Sequence, residues 1–298
     1  MPSRSVGDVP SRLIRAVLLD IEGTTTPVTF VADVLFPYAR KHLRRHLEQH
    51  IGSREHQILP DGPRDSGTRA GGPRDEPAAS AEYAVLFDRL RDEHEADRRA
   101  GASPPAWDDA TPDADSEQRT ARLESVAAYC EWLIDREMNA LRTGGPAPRK
   151  STSLKTIQGH IWQEGYVRGE LIGQVFDDVR PALERWHGRG LQVGIFSSGS
   201  VLAQRLLFEH SSAGDLTPFL QWYFDTTTGA KGDAGSYRRI AEAMNLTPDA
   251  IVFVSDIVKE LDAAREAGML TRLSLRPGNA PQAVGGHTEI HTFHELLS

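Results

Sequence analysis

Apolar residues in this chain come in two patterns, and the switch between them predicts its architecture. Short continuous apolar runs bounded by turn residues read as buried strands. They occur at 16–19, 191–196, 222–224, 251–255 and 270–275. The first, Ala16-Val17-Leu18-Leu19, does not alternate with polar residues, as expected for a strand of a parallel sheet covered on both faces. From Val179 onward these runs alternate with helical patterns at 180–189, 201–210, 236–245, 259–267 and 291–297. Strands alternating with helices of this length imply βαβ units.

Between the first run and Val179 the period is that of a helix throughout. Val31, Val34, Leu35 and Tyr38, then Leu43, Leu47 and Ile51, mark one helix over 30–51, with Pro37 expected to kink or restart it. Tyr83, Leu86, Phe87 and Leu90 mark a second over 82–99. Leu123, Val126, Ala127, Trp132 and Leu133 mark a third over 117–141, with Cys130 packed near them. Leu154, Ile157, Ile161 and Trp162 mark a shorter one over 153–165. The expected fold is therefore α/β: a doubly wound parallel-sheet, Rossmann-like core from residues 1–29 and 151–298, with an all-helical cap inserted at 30–150.

Polar stretches refine this picture. Residues 53–79 are rich in Gly, Pro, Arg and Asp, and Gly62-Pro63-Arg64-Asp65 recurs once as Gly72-Pro73-Arg74-Asp75. One echo is not a repeat architecture, so flexible insertions are expected near 53–79 and 100–115. Residues 1–12 read as a loose arm. His42, His46 and His50 share a helix face at i, i+4 spacing, which could be a metal ladder. Lys41, Arg44 and Arg45 interleave with them, and extra positive charge disfavours a bound cation. A solvated basic face is the expectation.

Charge and cysteine content narrow the function classes. The chain has 298 residues and a net charge of -8, from 34 basic and 42 acidic side chains. That argues against a nucleic-acid surface. Cys130 is the single cysteine, so neither an intrachain disulfide nor a cysteine metal cluster is available. No long apolar segment precedes Ala16 and none is long enough to span a membrane. A cytoplasmic, monomeric protein with no membrane or nucleic-acid partner is expected.

The chemistry-bearing residues sit just after the strands, where ligands collect in open α/β sheets. Asp20 and Glu22 follow the first, with Gly23 free to turn and Thr24 and Thr25 offering hydroxyls. Ser197, Ser198, Gly199 and Ser200 follow the second. Lys231 lies in the segment after the third, and Ser255 and Asp256 end the fourth, with Glu260 and Asp262 beyond. Singly, each has an ordinary explanation as a turn residue, a helix cap or a solvated charge. Together, in the order Asp, Ser, Lys, Asp, they fit phosphoryl transfer to an aspartate, followed by hydrolysis of the aspartyl-phosphate. Asp20, Asp256 and a phosphate repel one another, so Mg²⁺ is expected to hold them together. Ser197 can donate its hydroxyl and backbone N–H to the phosphate, beside the N-terminus of the next helix. Lys231 supplies positive charge where the transferring group gains negative charge. Glu22 is placed to protonate the leaving oxygen and then to activate water.

At these positions the chain resembles the haloacid dehalogenase-like phosphatases, whose four motifs match Asp20/Glu22, Ser197, Lys231 and Asp256. Most members carry Asp where Glu22 stands. That departure marks a narrower family, the enolase-phosphatases of methionine salvage, also called acireductone synthases. The resemblance to them runs through Asp20-Ile21-Glu22-Gly23-Thr24-Thr25-Thr26-Pro27, Asp33-Val34-Leu35-Phe36-Pro37-Tyr38-Ala39, Gln158-Gly159-His160-Ile161-Trp162, Phe196-Ser197-Ser198-Gly199-Ser200 and Arg276-Pro277-Gly278-Asn279. It covers residues 15–51 and 153–297 and does not extend over 53–115.

The resemblance implies that a small-molecule phosphate, 2,3-diketo-5-methylthiopentyl-1-phosphate, is enolised and then dephosphorylated to acireductone. It implies Mg²⁺ as the cofactor and Asp20, Glu22 and Lys231 as catalytic residues. Ser197, Ser198 and Lys231 would contact substrate. Asp20, Glu22 and Asp256 are the implied metal positions, Glu22 through its backbone carbonyl. The base for enolisation is not identified. Three alternatives compete with this reading. One is a related phosphatase acting on a sugar phosphate. Another is a nucleotide-binding module or oxidoreductase, which the absence of G-x-G-x-x-G after the first strand opposes. A third is an inert scaffold, which reactive residues at all four motif positions oppose.

Overall fold

β1 (Ala16–Leu19) is the centre of the molecule's sheet, and all four of its side chains are fully buried. The computed structural model describes residues 14–51, 76–108, 116–143 and 148–297. After β1 come α1 (Val28–Phe30), a π-helical turn at Val31–Leu35 and α2 (Phe36–Ile51). Next are α3 (Glu76–Arg99), α4 (Ser116–Thr143), α5 (Thr152–Val167) and α6 (Val179–Gly188). The alternating part follows as β2 (Gln192–Phe196), α7 (Val201–Glu209), β3 (Trp222–Phe224), α8 (Ala234–Ala243), β4 (Ile251–Ser255), α9 (Val258–Glu266), β5 (Leu270–Ser274) and β6 (Thr288–Ile290).

The strands pair in the order β3-β2-β1-β4-β5-β6, every pair parallel. This is the doubly wound order, whose ligand crevice lies at the carboxyl edge where winding reverses. Here that point is between β1 and β4. Leu19 is in register with Ile195 on β2 and Val254 on β4. Asp20, Ser197, Ser255 and Asp256 therefore all emerge at one edge. Leu18, Phe196 and Phe253 share a buried cluster with Tyr237 and Ile240 of α8 and Leu261 and Ala264 of α9. Burial of each leucine, isoleucine or phenylalanine side chain here contributes about 1.5–3 kcal/mol. Gly194 makes the sheet fit: a β-carbon there would come 3.2 Å from both Leu18 Cδ1 and Trp222 Cβ.

The chain divides into two compact units. One contains the described residues up to Asp33 and from Trp162 onward; the other is Val34–Ile161. The second unit is helical. Leu43 and Leu47 of α2, Leu86 and Leu90 of α3, and Val126, Ala127 and Leu133 of α4 are among its buried residues. Arg40 and Arg44 of α2 pair with Asp135 at 2.7 Å and Glu131 at 2.8 Å on α4.

Several expectations change on contact with the structure. The helix expected at 291–297 is absent. β6 ends just before it, and its place is taken by a single 3-10 turn at Phe293–Glu295, closed by a Thr292/Glu295 capping box. The segment is too short for its apolar spacing to separate helix from strand. Pro37 lies in the first turn of α2, where its missing N–H is tolerated, and the irregularity sits ahead of it as the π turn.

The histidine face is not a solvated one. His46 is 3% exposed and bonds through Nε2 to Tyr83 Oη, which also lies 2.9 Å from His160 Nδ1. His50 stacks on the Tyr83 ring with centroids 4.0 Å apart. Tyr83 from α3 covers the face, and periodicity within α2 could not reveal it. Residues 1–12, and 53–75 of the expected insertion, lie outside the described residues, whereas 76–79 belong to α3. No described helix is long and apolar enough to cross a membrane.

Candidate active site

Asp20 leaves β1 with its N–H bonded to Val254 O at 3.0 Å, and the chain then folds into a tight loop. The N–H groups of Thr24, Thr25 and Thr26 all reach Ile21 O, at 3.2, 2.9 and 2.9 Å. Gly23 takes φ +68°, a backbone region that side-chain-bearing residues rarely enter. All three threonines are fully buried, and Thr25 Oγ1 lies 3.2 Å from both Asp20 O and Ile21 O. The Thr25 hydroxyl thus serves the loop rather than a ligand, whereas the Thr24 and Thr26 hydroxyls are buried with no hydrogen-bond partner among the described residues.

Around Asp20 the structure gathers a dense charge cluster. Asp20 Oδ1 accepts from Ile21 N at 2.7 Å and lies 2.7 Å from Lys231 Nζ. The same ammonium is 2.6 Å from Glu260 Oε2. Ser255 Oγ lies 3.2 Å from Asp20 Oδ2 and 3.0 Å from Glu260 Oε2, so its one proton is shared between the two carboxylates. Burial works against the charge on Lys231, but Asp20 and Glu260 outweigh it and hold the ammonium above the ordinary lysine range. Tyr237 fixes the backbone there by donating to Lys231 O at 2.7 Å.

Asp256 stands one residue beyond β4, 8% exposed. Burial, reinforced by Asp20 and Glu260 and by the more weakly felt Glu22, pushes its carboxyl up to about 8, with Lys231 opposing. Burial and Asp20 likewise push Glu260 upward, against the Lys231 contact and the Ser255 hydroxyl. Two carboxylates thus share one ammonium, and Asp256 adds a third acidic group close by. A hard divalent cation fits such a site: every donor is an oxygen, and the local charge is negative.

Ser197 ends the neighbouring strand. Its N–H donates to Phe224 O at 3.1 Å, and its Oγ accepts from Gly199 N at 3.2 Å. Ser200 caps α7 by accepting from Ala203 N at 3.3 Å. Lys231 Nζ lies 5.9 Å from the ring centre of Phe196, the residue before Ser197, which puts the serine turn beside the charge cluster. Ser198 is half-buried in that turn. The structure therefore brings Asp20 and Lys231 into direct contact, sets Asp256 and Glu22 within electrostatic reach, and places Ser197 and Ser198 on the adjoining strand end.

Three further participants have no role assigned by sequence reasoning, although Glu260 and Arg276 are named there. Glu260 has a usable signal, since it falls one helical turn after Asp256. Gln282 has none: it donates to Asp256 O at 2.6 Å and accepts from Val258 N at 3.0 Å across a long loop. Arg276 is buried between Phe176 and Phe293, 4.7 and 4.6 Å from their ring centres. It pairs with Asp178 at 2.9 Å and donates to Thr24 O at 3.2 Å, bracing the loop that follows Asp20.

Comparison with known proteins points the same way. A family model described as haloacid dehalogenase-like hydrolase matches residues 14–268. The chain is 45% identical to "Enolase-phosphatase E1" of Synechococcus elongatus, over 95% of this chain and 98% of that one. It is 42% identical to the protein of the same name from Sorangium cellulosum, over 95% and 97%. It also matches, at 42% identity and 95% coverage of this chain, 47% of a Populus trichocarpa protein. That protein is named probable bifunctional methylthioribulose-1-phosphate dehydratase/enolase-phosphatase E1. Among solved structures, the UTR4 protein of Saccharomyces cerevisiae is similar with a TM-score of 0.62 at 26% identity, covering 95% of this chain and all of that one.

Proposed function

The chain belongs to the haloacid dehalogenase-like hydrolases and, within them, to the enolase-phosphatases, and from that membership we infer its chemistry. The substrate is 2,3-diketo-5-methylthiopentyl-1-phosphate, and the products are acireductone and phosphate, a step of methionine salvage. The observation that carries the assignment of roles is the buried contact of Lys231 with Asp20 at the switch point of the sheet.

Asp20 is the nucleophile. Its Oδ1 is oriented by Ile21 N and Lys231, its Oδ2 by Ser255. Attack on phosphorus breaks the bond to the substrate oxygen and leaves an aspartyl-phosphate. Glu22 protonates the departing oxygen and then removes a proton from the water that hydrolyses the intermediate. Lys231 keeps its charge throughout and balances the negative charge that grows on the transferring group. Ser197 and Ser198 hold the phosphate from the neighbouring strand end. Mg²⁺ would be held by Asp20, Asp256 and the Glu22 carbonyl, and when bound it supplies the positive charge that lets a phosphate approach these carboxylates. The helical unit acts as the cap and the sheet-bearing unit as the catalytic core, with their division at Val34 and Ile161 rather than at the expected 30 and 150.

Turnover of the diketo-phosphate against a panel of sugar phosphates tests this reading, with enol absorbance and phosphate release followed on the same sample. Enol formation followed by phosphate release, with poor turnover of the sugar phosphates, supports it. Comparable turnover of a sugar phosphate without enol formation would assign the chain to a different phosphatase.

A further inference from the structure

Asn279 gives both hydrogens of its side-chain amide to carbonyls, Gly23 O at 2.9 Å and Ser274 O at 3.1 Å. That settles which end of the amide is which, because the flipped amide would set Oδ1 against two carbonyl oxygens. Oδ1 is thereby held on the far side, shut off from bulk solvent and bonded to no described residue. Gly23 shows what it faces. A β-carbon built on Gly23 would come 2.9 Å from Asn279 Oδ1 and 2.4 Å from Asp256 Oδ2. The amide oxygen and the carboxylate converge on one spot beside the Gly23 backbone, kept open because that residue has no side chain. Two acceptors aimed at one spot need a donor or a cation between them.

We propose that Asn279 is a positioning residue of the cation site: its Oδ1 accepts a hydrogen bond from a water carried by the divalent cation that Asp256 holds. The proposal rests on the reading of Asp256 as a cation ligand. A small hard cation such as Mg²⁺ gives up its waters reluctantly and keeps several when bound to protein. The hydrogens of those waters need fixed acceptors, and partners of this kind orient a metal site. Asn279 is suited to the task because its amide is locked by two hydrogen bonds, one to the turn that follows Asp20 and one to Ser274 at the end of β5.

The test is calorimetric titration of Mg²⁺ into the full-length, metal-free chain at fixed pH and ionic strength. Ser274 Oγ donates to the same Gly23 carbonyl at 3.1 Å. Ser274→Ala therefore removes one tether of the turn and leaves Asn279 Oδ1 in place. Asn279→Ala should weaken Mg²⁺ binding about tenfold or more, and Ser274→Ala less than about threefold. Asn279→Ser, which keeps a donor for Gly23 O but has no amide oxygen, should bind as weakly as Asn279→Ala and stands in for it if the alanine variant does not fold. Near wild-type affinity in the Asn279 variants, or equal weakening by Ser274→Ala, would overturn the proposal. Asp256→Asn separates the two levels. If it abolishes binding while the Asn279 variants bind normally, only the water contact is wrong. If it binds normally, the reading of Asp256 fails and this proposal fails with it.

Discussion

Lys231 Nζ lies 2.7 Å from Asp20 Oδ1, so the residue assigned as nucleophile is fixed by a buried ammonium before any substrate arrives. Glu260 holds the other side of that ammonium at 2.6 Å. Removing the charge leaves two buried carboxylates facing each other. Lys231→Met should lower phosphate release by about 10²–10³-fold or more, the cost of losing one group that stabilises the transferring charge. In the metal-free chain it should also cost about 3–5 kcal/mol, as expected when one partner of a buried ion pair is removed. Phosphate assays and urea denaturation check the two effects separately.

Asp256 makes the stability of the metal-free chain depend on pH in a definite direction. Its carboxyl is pushed up to about 8 in the fold, from an ordinary value of 3.8. Between those values the folded chain keeps a proton that the unfolded chain has lost. Stability from this group is therefore complete below the lower value and declines as pH rises toward the upper one. The melting temperature of the metal-free protein should fall between about pH 5 and pH 8.5, and Asp256→Asn, which cannot ionise, should lose less over that range. Mg²⁺ competes with the same proton, so its affinity should increase through the window. A melting temperature that rises with pH in wild type and not in Asp256→Asn would contradict the assignment.

In the helical unit, Tyr83 Oη is shared by two imidazoles, His46 Nε2 and His160 Nδ1. One hydroxyl proton cannot serve both, so at least one ring donates to the oxygen. Tyr83→Phe keeps the stacking on His50 but leaves both ring nitrogens without their partner. It should destabilise the protein by about 1–3 kcal/mol, the penalty for unsatisfied buried polar groups. Denaturant titration reads this directly, and a change below about 0.5 kcal/mol would mean that water replaces the hydroxyl.

Much of this was readable because the chain repeats one grammar. Ala16–Leu19 and Ile251–Ser255 are buried on both faces, so their apolar runs are unbroken, and each is followed at once by a carboxylate. Parallel strands bring such residues to a common edge without further information. What stays hidden depends on partners distant in sequence. His46 looks solvent-facing within α2 until Tyr83 of α3 covers it. Asn279 meets Gly23, and Gln282 meets Asp256, through a loop that carries no periodic signal. β6 pairs only through Thr288–Ile290, too short for its alternation to outweigh a helical pattern in the residues after it.

The central claim is that Asp20 accepts the phosphoryl group and that enolisation does not use it as a nucleophile. Asp20→Asn, supplied with Mg²⁺ and the diketo-phosphate, tests this when enol absorbance and free phosphate are measured on one sample. The account predicts that the enol-phosphate accumulates and phosphate stays bound to it. Phosphate release within about tenfold of wild type would contradict the role of Asp20 as nucleophile. Binding of substrate and metal without any enol would contradict the separation of the two steps.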